Sequence, residues 1–291
     1  MLKNIPYLYL KRKELQVMLK ANILAYRHGV KTIDKLNFQK YKKSDTMFIL
    51  GSGSSVNKFT NKHWDIISDN DSLGLNFWIA HDFIPTFYCY EEPADILDRR
   101  RIFYDIMDHK KKLLLNTPIV IKDLIPYKVS FERIPQELKK NIYLSLDFDL
   151  PVKGSQNLMM NYFDLLKKMK RFENTGKIKF IYSVTASLSY AAFFALLMGY
   201  KKIVFCGVDL SNSLYFYEEN RKYYEDKGML VPKSSQEAGV HSTNVRTKIK
   251  IPISEVLKTM YETIFKANGV EFYVSDKSSG IYKDYKVFFS F

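Results

Sequence analysis

The chain reads as an α/β protein built on a mostly parallel sheet flanked by helices. Three observations carry that expectation. Met47-Phe48-Ile49-Leu50 is an uncharged apolar run, the pattern of a strand buried on both faces, and it breaks at once into Gly51-Ser52-Gly53-Ser54-Ser55. Strand-like and helix-like patterns then alternate along the chain. Polar residues (Gly51–Ser55, Asn76, Glu91 and Glu92, Ser183–Ser187, Asp209) collect at the carboxy ends of the apolar runs. Parallel sheets bind their ligands at those ends, so one cleft is the economical expectation.

A length of 291 residues allows one large domain, or one domain with an appended subdomain. The 46% hydrophobic and 26% charged content is that of an ordinary globular protein. With 21 tyrosines and 21 phenylalanines, a thick core and aromatic cleft walls are expected. Cys89 and Cys206 sit in apolar runs, which predicts buried free thiols in a reducing cytoplasm rather than a disulfide or metal site. No apolar run is long enough for a transmembrane helix, and no signal-peptide pattern opens the chain.

The formal charge of +14 is unevenly distributed. Residues 1–44 hold eleven Lys and Arg against only Glu14 and Asp34. Leu15, Met18, Leu19, Ile23 and Tyr26 recur at helical spacing, with Asn22 as one polar interruption, Lys13, Lys20 and Arg27 off the stripe and Gly29 as a stop. An aromatic, apolar stretch, Ile5 to Leu10, precedes them. Residues 1–44 are thus expected to be a basic amphipathic extension. It either packs on the domain with a solvated basic face or adheres to an anionic membrane surface. Nucleic acid is not expected as a partner, because no groove-reading motif follows.

After the first strand, Leu73–Trp78 and Pro85–Tyr90 read as strands, 94–109 as a helix, and Lys112–Leu115 with Ile119–Ile121 as sheet. Asn141–Leu146 is strand-like, 157–172 helical and Lys179–Tyr182 a strand. The apolar run Thr185–Met198, stopped by Gly199, predicts a helix buried on most sides, feeding a strand at Ile203–Asp209. A Tyr-rich charged loop (211–250), a helix at Ile253–Ala267 capped by Gly269, and a strand at Val270–Val274 complete the pattern.

The glycine turn suits an anionic ligand, with serine hydroxyls and backbone N–H groups facing a phosphate. It lacks the third glycine of the dinucleotide fingerprint and the Gly-Lys-Ser/Thr of a P-loop. Asp147-Phe148-Asp149, closing a strand-like run, is the usual setting of a metal-binding pair in nucleotide-diphosphate-sugar transferases. Asp95, Asp98 and Asp105 with Arg99–Arg101 read as a solvated helix face.

Several short blocks occur in an order that resembles the bacterial CMP-sialic acid-dependent sialyltransferases of the Campylobacter and Haemophilus lipooligosaccharide type. They are Gly51-Ser52-Gly53-Ser54-Ser55, Asn76 and Pro93, then Val184-Thr185-Ala186-Ser187 and Ala195–Ile203. Gly207-Val208-Asp209 is similar to that family's Gly-Ile-Asp, and Gly239-Val240-His241-Ser242-Thr243-Asn244 to its Gly-His-Ser-Lys-Asn. The resemblance covers roughly residues 46–280 and leaves the basic extension outside it.

It implies a Rossmann-like domain over 45–291, a GT-A-like variant with a lid at about 211–250. It also implies a metal-independent, inverting transfer of an acidic sugar from a CMP donor to a glycan or glycolipid hydroxyl, with no cofactor. His241 takes the position of the general base, and Asn76 that of a donor-binding asparagine. Gly51, Ser52, Gly53 and Ser54 take the phosphate and ribose side, with Thr185, Ser187, Gly207 and Asp209 on the cleft floor. The chain departs from the family at Glu92, which replaces an asparagine, and at Ser183, which replaces an arginine. Two tyrosines that steady the leaving phosphate fall at Ser211 and Ala238. A third falls at Tyr215 if two residues are missing from that loop, with Tyr217, Tyr223 and Tyr224 as neighbouring substitutes. These departures leave open another CMP-linked nonulosonate or Kdo as donor. A metal-dependent transferase using Asp147 and Asp149, or a non-catalytic nucleotide- or glycan-binding protein, also stays open. The resemblance further implies a cytoplasmic enzyme of surface-glycan synthesis, peripheral on the inner membrane face, and a homo-oligomer.

Overall fold

The computed structural model describes residues 5–126, 128–210, 214–233 and 240–289. In chain order the first elements are α1 (Ile5–His28), β1 (Lys31–Thr32), β2 (Thr46–Leu50), α2 (Asn61–Ser68), β3 (Asp71–Leu75), β4 (Phe87–Glu91) and α3 (Arg99–His109). Next come β5 (Ile119–Lys122), β6 (Ile142–Leu144), β7 (Asp147–Asp149), α4 (Gln156–Lys168), β8 (Ile181–Ser183), α5 (Ser187–Leu197) and β9 (Lys202–Cys206). The chain continues through α6 (Phe216–Glu219), α7 (Arg221–Asp226), α8 (Ile253–Met260), β10 (Glu271–Val274) and β11 (Lys286–Val287).

Among the described residues, nine strands form one sheet in the order β1-β6-β5-β4-β3-β2-β9-β10-β11. Every pairing in it is parallel. The α/β expectation is therefore met. Strand order steps outward from β2 to β6 on one side and restarts with β9 on the other. The β2/β9 junction, registered from Thr46 opposite Lys202 to Leu50 opposite Cys206, is thus the point where the order reverses. β2 is buried along its whole length, as an uncharged run flanked by strands and helices must be.

α5 packs on β2, β8 and α8. Its residues from Ser189 to Leu197 are all buried, and Phe193 meets Phe163, Phe172 and Phe265 at ring-centre distances of 6.0, 5.2 and 5.7 Å. The expectation of a helix buried on most sides holds. Cys89 and Cys206 are buried free thiols in β4 and β9.

Several boundaries differ from the sequence reading. The strand predicted over Leu73–Trp78 ends at Leu75, because Asn76 takes φ 51° and starts a 3-10 turn. Lys112–Leu115 is turn rather than sheet. Lys110, just before it, is drawn inward to donate to the Ala80 and His81 carbonyls at 2.9 and 2.5 Å. The 94–109 helix begins only at Arg99, after Leu97 and Asp98 at φ 47° and 56°. Asp147–Asp149 and Ile181–Ser183 pair with each other in a separate two-stranded sheet.

The amino-terminal extension is tied into the domain, since β1 pairs with β6 and α1 packs on β1 and β7. Of the two expectations for this helix, packing on the domain does not use the apolar stripe. Leu15, Met18, Leu19, Ile23 and Tyr26 are exposed, and Leu10, Glu14, Val17 and Ala21 are buried. The reason is Glu14. Arg171 donates to it twice, at 3.0 and 2.8 Å, and the Tyr182 hydroxyl donates at 2.7 Å, so the carboxylate is solvated by protein. Glu14→Ala is expected to lower stability by about 2–3 kcal/mol, short of a fully buried pair because the Arg171 side chain keeps 22% exposure. The shift in urea midpoint reads this out.

Candidate functional site

A cleft of about 490 Å³ opens at the carboxy ends of the strands, centred on the β2/β9 junction. Gly51, Ser52, Gly53, Gly207 and Asp209 form part of its lining. The turn after β2 lies against the turn after β9 at backbone contact distance. A Cβ added at Gly51 would lie 2.7 Å from the Gly207 carbonyl oxygen, and one at Gly53 2.6 Å from Asp209 Oδ2. Only glycine permits that approach.

The Gly51, Gly53 and Ser55 N–H groups of this turn are taken up within the protein. Gly51 donates to the Cys206 carbonyl at 2.8 Å and Gly53 to the Gly207 carbonyl at 2.9 Å. Ser55 donates to Asp209 through both its N–H and its hydroxyl, each at 2.6 Å. The turn therefore extends the β2/β9 ladder by two steps, and Asp209 acts as its clasp. Burial pushes the Asp209 carboxyl above the usual carboxylate range, partly offset by the Ser55 hydrogen bonds. Ser54 is buried and lies outside the cleft lining.

Facing the turn are Asn76 and the start of α5. Asn76 Nδ2 donates to Ser187 Oγ at 3.4 Å, and its Oδ1 accepts from the Glu91 N–H at 3.3 Å. The left-handed φ of Asn76 aims this side chain across the cleft. Thr185, at φ 71°, turns the chain so that α5 opens onto the cleft with Ser187 as its first residue. Its amino end contributes partial positive charge there.

His241 and Tyr215 close the other side. The predicted lid residues reach the cleft through Leu214, Tyr215, Tyr217, His241 and Thr243. Tyr215 forms a bridge with Gly53 and stacks on Tyr217 with ring centres 5.3 Å apart. The His241 N–H donates to the Leu210 carbonyl at 2.9 Å, which ties the histidine to the strand end that carries Asp209. Its Nδ1 lies 2.8 Å from Thr243 Oγ1, and its Nε2 3.5 Å from the Tyr215 hydroxyl. Burial lowers the His241 pKa from its ordinary value, so the ring is neutral at neutral pH.

The far end of the cleft is charged. Lys122 pairs with Glu91 and Asp123, and Glu91 sits opposite Lys122 in the β4/β5 register. Burial pulls the Lys122 ammonium down, but Glu91, Asp123 and Asp147 outweigh it, and its pKa stands above the usual lysine range. Asp147 is buried outside the cleft lining and accepts from the Asp123 N–H at 3.2 and 3.3 Å. Burial, then the Asp123 charge, push its carboxyl up to about 8. Asp149 does line the cleft, and the Ser183 hydroxyl donates to it at 2.5 Å. Among the described residues no group of three or more His, Cys, Asp or Glu is placed to hold a metal ion. Of the Asp-x-Asp pair in the sequence alternative, Asp149 alone reaches the cleft lining.

Two sequence expectations move. Glu92 is buried away from the cleft lining. It accepts from Tyr104 at 2.5 Å and from the Ser130 hydroxyl at 2.7 Å, and pairs with Arg100 at 3.1 Å. Strand alternation puts Glu91 at the cleft instead. Arg99, read as part of a solvated face, lines the cleft with its guanidinium 4.7 Å from the Phe77 ring centre and donates to the Lys233 carbonyl at 2.9 Å. Ser211 and Ala238 lie outside the described residues. No protein-family model matches the chain, and a search of curated proteins found no match.

Proposed function

We propose that the protein is a glycosyltransferase that moves an acidic sugar, most simply sialic acid, from a CMP donor to a glycan hydroxyl with inversion, using His241 as general base. The observation that carries the reading is the half-buried imidazole of His241 in the cleft wall, beside the Tyr215 hydroxyl. It faces a strand-order reversal point bounded by a glycine turn and a helix amino end.

His241 Nδ1 accepts from the Thr243 N–H at 3.3 Å and lies 2.8 Å from Thr243 Oγ1, so in this reading base catalysis at Nε2 requires the ring proton to move to Nδ1, held there by the Thr243 hydroxyl, when an acceptor binds. The acceptor hydroxyl passes its proton to Nε2 as its oxygen bonds to the anomeric carbon. The bond from that carbon to the phosphate oxygen breaks, and CMP leaves with the electron pair. The Tyr215 hydroxyl, the Ser187 hydroxyl, the α5 amino end and the Arg99 guanidinium provide donors and positive charge for a monophosphate. Asn76 and the rim of Gly51–Gly53 hold the nucleotide. Another CMP-linked nonulosonate or Kdo fits the same chemistry.

Donor hydrolysis across a panel of CMP- and UDP-activated sugars, with and without chelator, tests the proposal. Release of CMP from an acidic-sugar donor, undiminished by chelator, is the expected result. Turnover confined to UDP-sugars and abolished by chelator would overturn it, and CMP binding with no turnover would leave a nucleotide-binding protein instead.

A further inference from the structure

Among the described residues, the outward face of α1 has no partner within the chain. Leu8, Leu15, Leu19, Ile23 and Tyr26 fall on one side of the helix and are 63, 51, 52, 56 and 93% exposed. The helix cannot roll to hide them. Leu10, Val17 and Ala21 are buried against the body, and Glu14 is held by Arg171 and Tyr182. Burying the outer ridge would expose that ion pair.

Lys11, Lys13, Lys20 and Arg27 stand beside the ridge and Arg12 within it, and the only carboxylate within α1 is the inward Glu14. An apolar ridge with basic residues on its flanks matches the boundary between acyl chains and anionic headgroups. The alkyl stems of Lys and Arg lie along the apolar layer there, and their charges reach phosphate. A second copy of the chain would set the same basic flanks against each other across a two-fold axis, which opposes self-pairing. Among the described residues no helix is long and apolar enough to cross a membrane, so the ridge suits lying on a bilayer rather than spanning it.

We infer that α1 is a surface-docking helix that seats the protein on an anionic bilayer through Leu8, Leu15, Leu19, Ile23 and Tyr26. This rests on exposure and charge alone and stands apart from the activity proposed above. The docking helix also borders the cleft. Lys20 Nζ donates to the Ile125 carbonyl at 3.3 Å, one residue from Pro126 and two from Asp123 on the cleft wall. A bilayer against α1 therefore lies beside the rim formed by residues 123–126.

The test uses the full chain with phosphatidylcholine vesicles, with and without phosphatidylserine. Retention on the phosphatidylserine vesicles, weakening as salt rises, is expected. The Leu15→Ser/Leu19→Ser/Ile23→Ser variant should bind them at least about tenfold more weakly with an unchanged thermal midpoint, because all three side chains are exposed. Equal retention of variant and parent would overturn the inference, as would equal retention on neutral vesicles. A dimer seen by sedimentation that the variant dissociates, with no vesicle retention by the parent, would assign the ridge to a second copy. CMP release in solution reads the other proposal independently.

Discussion

Replacing His241 with alanine is expected to lower turnover by about 10²–10⁴-fold while leaving CMP binding nearly intact. The imidazole stands across the cleft from the glycine turn, so its loss removes the proton acceptor and leaves the nucleotide contacts in place. Unchanged turnover would remove His241 from the mechanism. The pH profile offers an independent check. Burial holds the His241 pKa below its ordinary 6.5, so the base form persists on the acid side of neutrality. kcat/KM should climb with pH along a limb centred below 6.5 as far as this group is concerned. A limb centred above 7 would point to another base. The same burial acts on stability. The unfolded chain takes up a proton at this site more readily than the folded one, so the contribution falls as pH drops through 6.5 and is regained above it.

Gly207→Ala is expected to be the most damaging single-methyl change in the cleft, costing on the order of 2–4 kcal/mol. Gly207 has φ 64°, and an added Cβ would strike the Gly51 carbonyl oxygen and come within 2.9 Å of Val56 Cγ1. Neither neighbour can yield, since Gly51 is fixed by its bond to Cys206 and Val56 is buried. Gly29→Ala is the control. Its φ of 65° is nearly the same, but nothing lies within 4 Å of the added carbon, so only backbone strain of about 1 kcal/mol is expected. Equal midpoint losses in urea for the two variants would show that crowding at the β2/β9 turns is unimportant.

What the sequence revealed follows from how local each signal is. Thr46–Leu50 and the turn after it were legible because a buried parallel strand is an unbroken apolar run and glycines mark its exit. Asn76, Thr185, Ser187, Gly207, Asp209, Tyr215 and His241 were singled out by strand-end position or family resemblance, and all line one cleft. Lys122 was not legible, because its value depends on a register opposite Glu91, 31 positions away in the chain. The choice between Glu91 and Glu92 turned on strand parity, which a fuzzy strand boundary cannot fix. Which face of α1 packs on the domain was not legible for a related reason. A glutamate scores as an outward residue until Arg171 and Tyr182, 157 and 168 positions away, are known to meet it.

The two-residue length of β1 and β11, the outermost strands, has a consequence for behaviour in a crowded solution. A sheet margin invites another molecule to add its own strand when it presents a long row of unpaired amides and carbonyls. Here each margin presents too short a row to seed such growth. The protein should resist fibril-like stacking even though its interior is an all-parallel lattice.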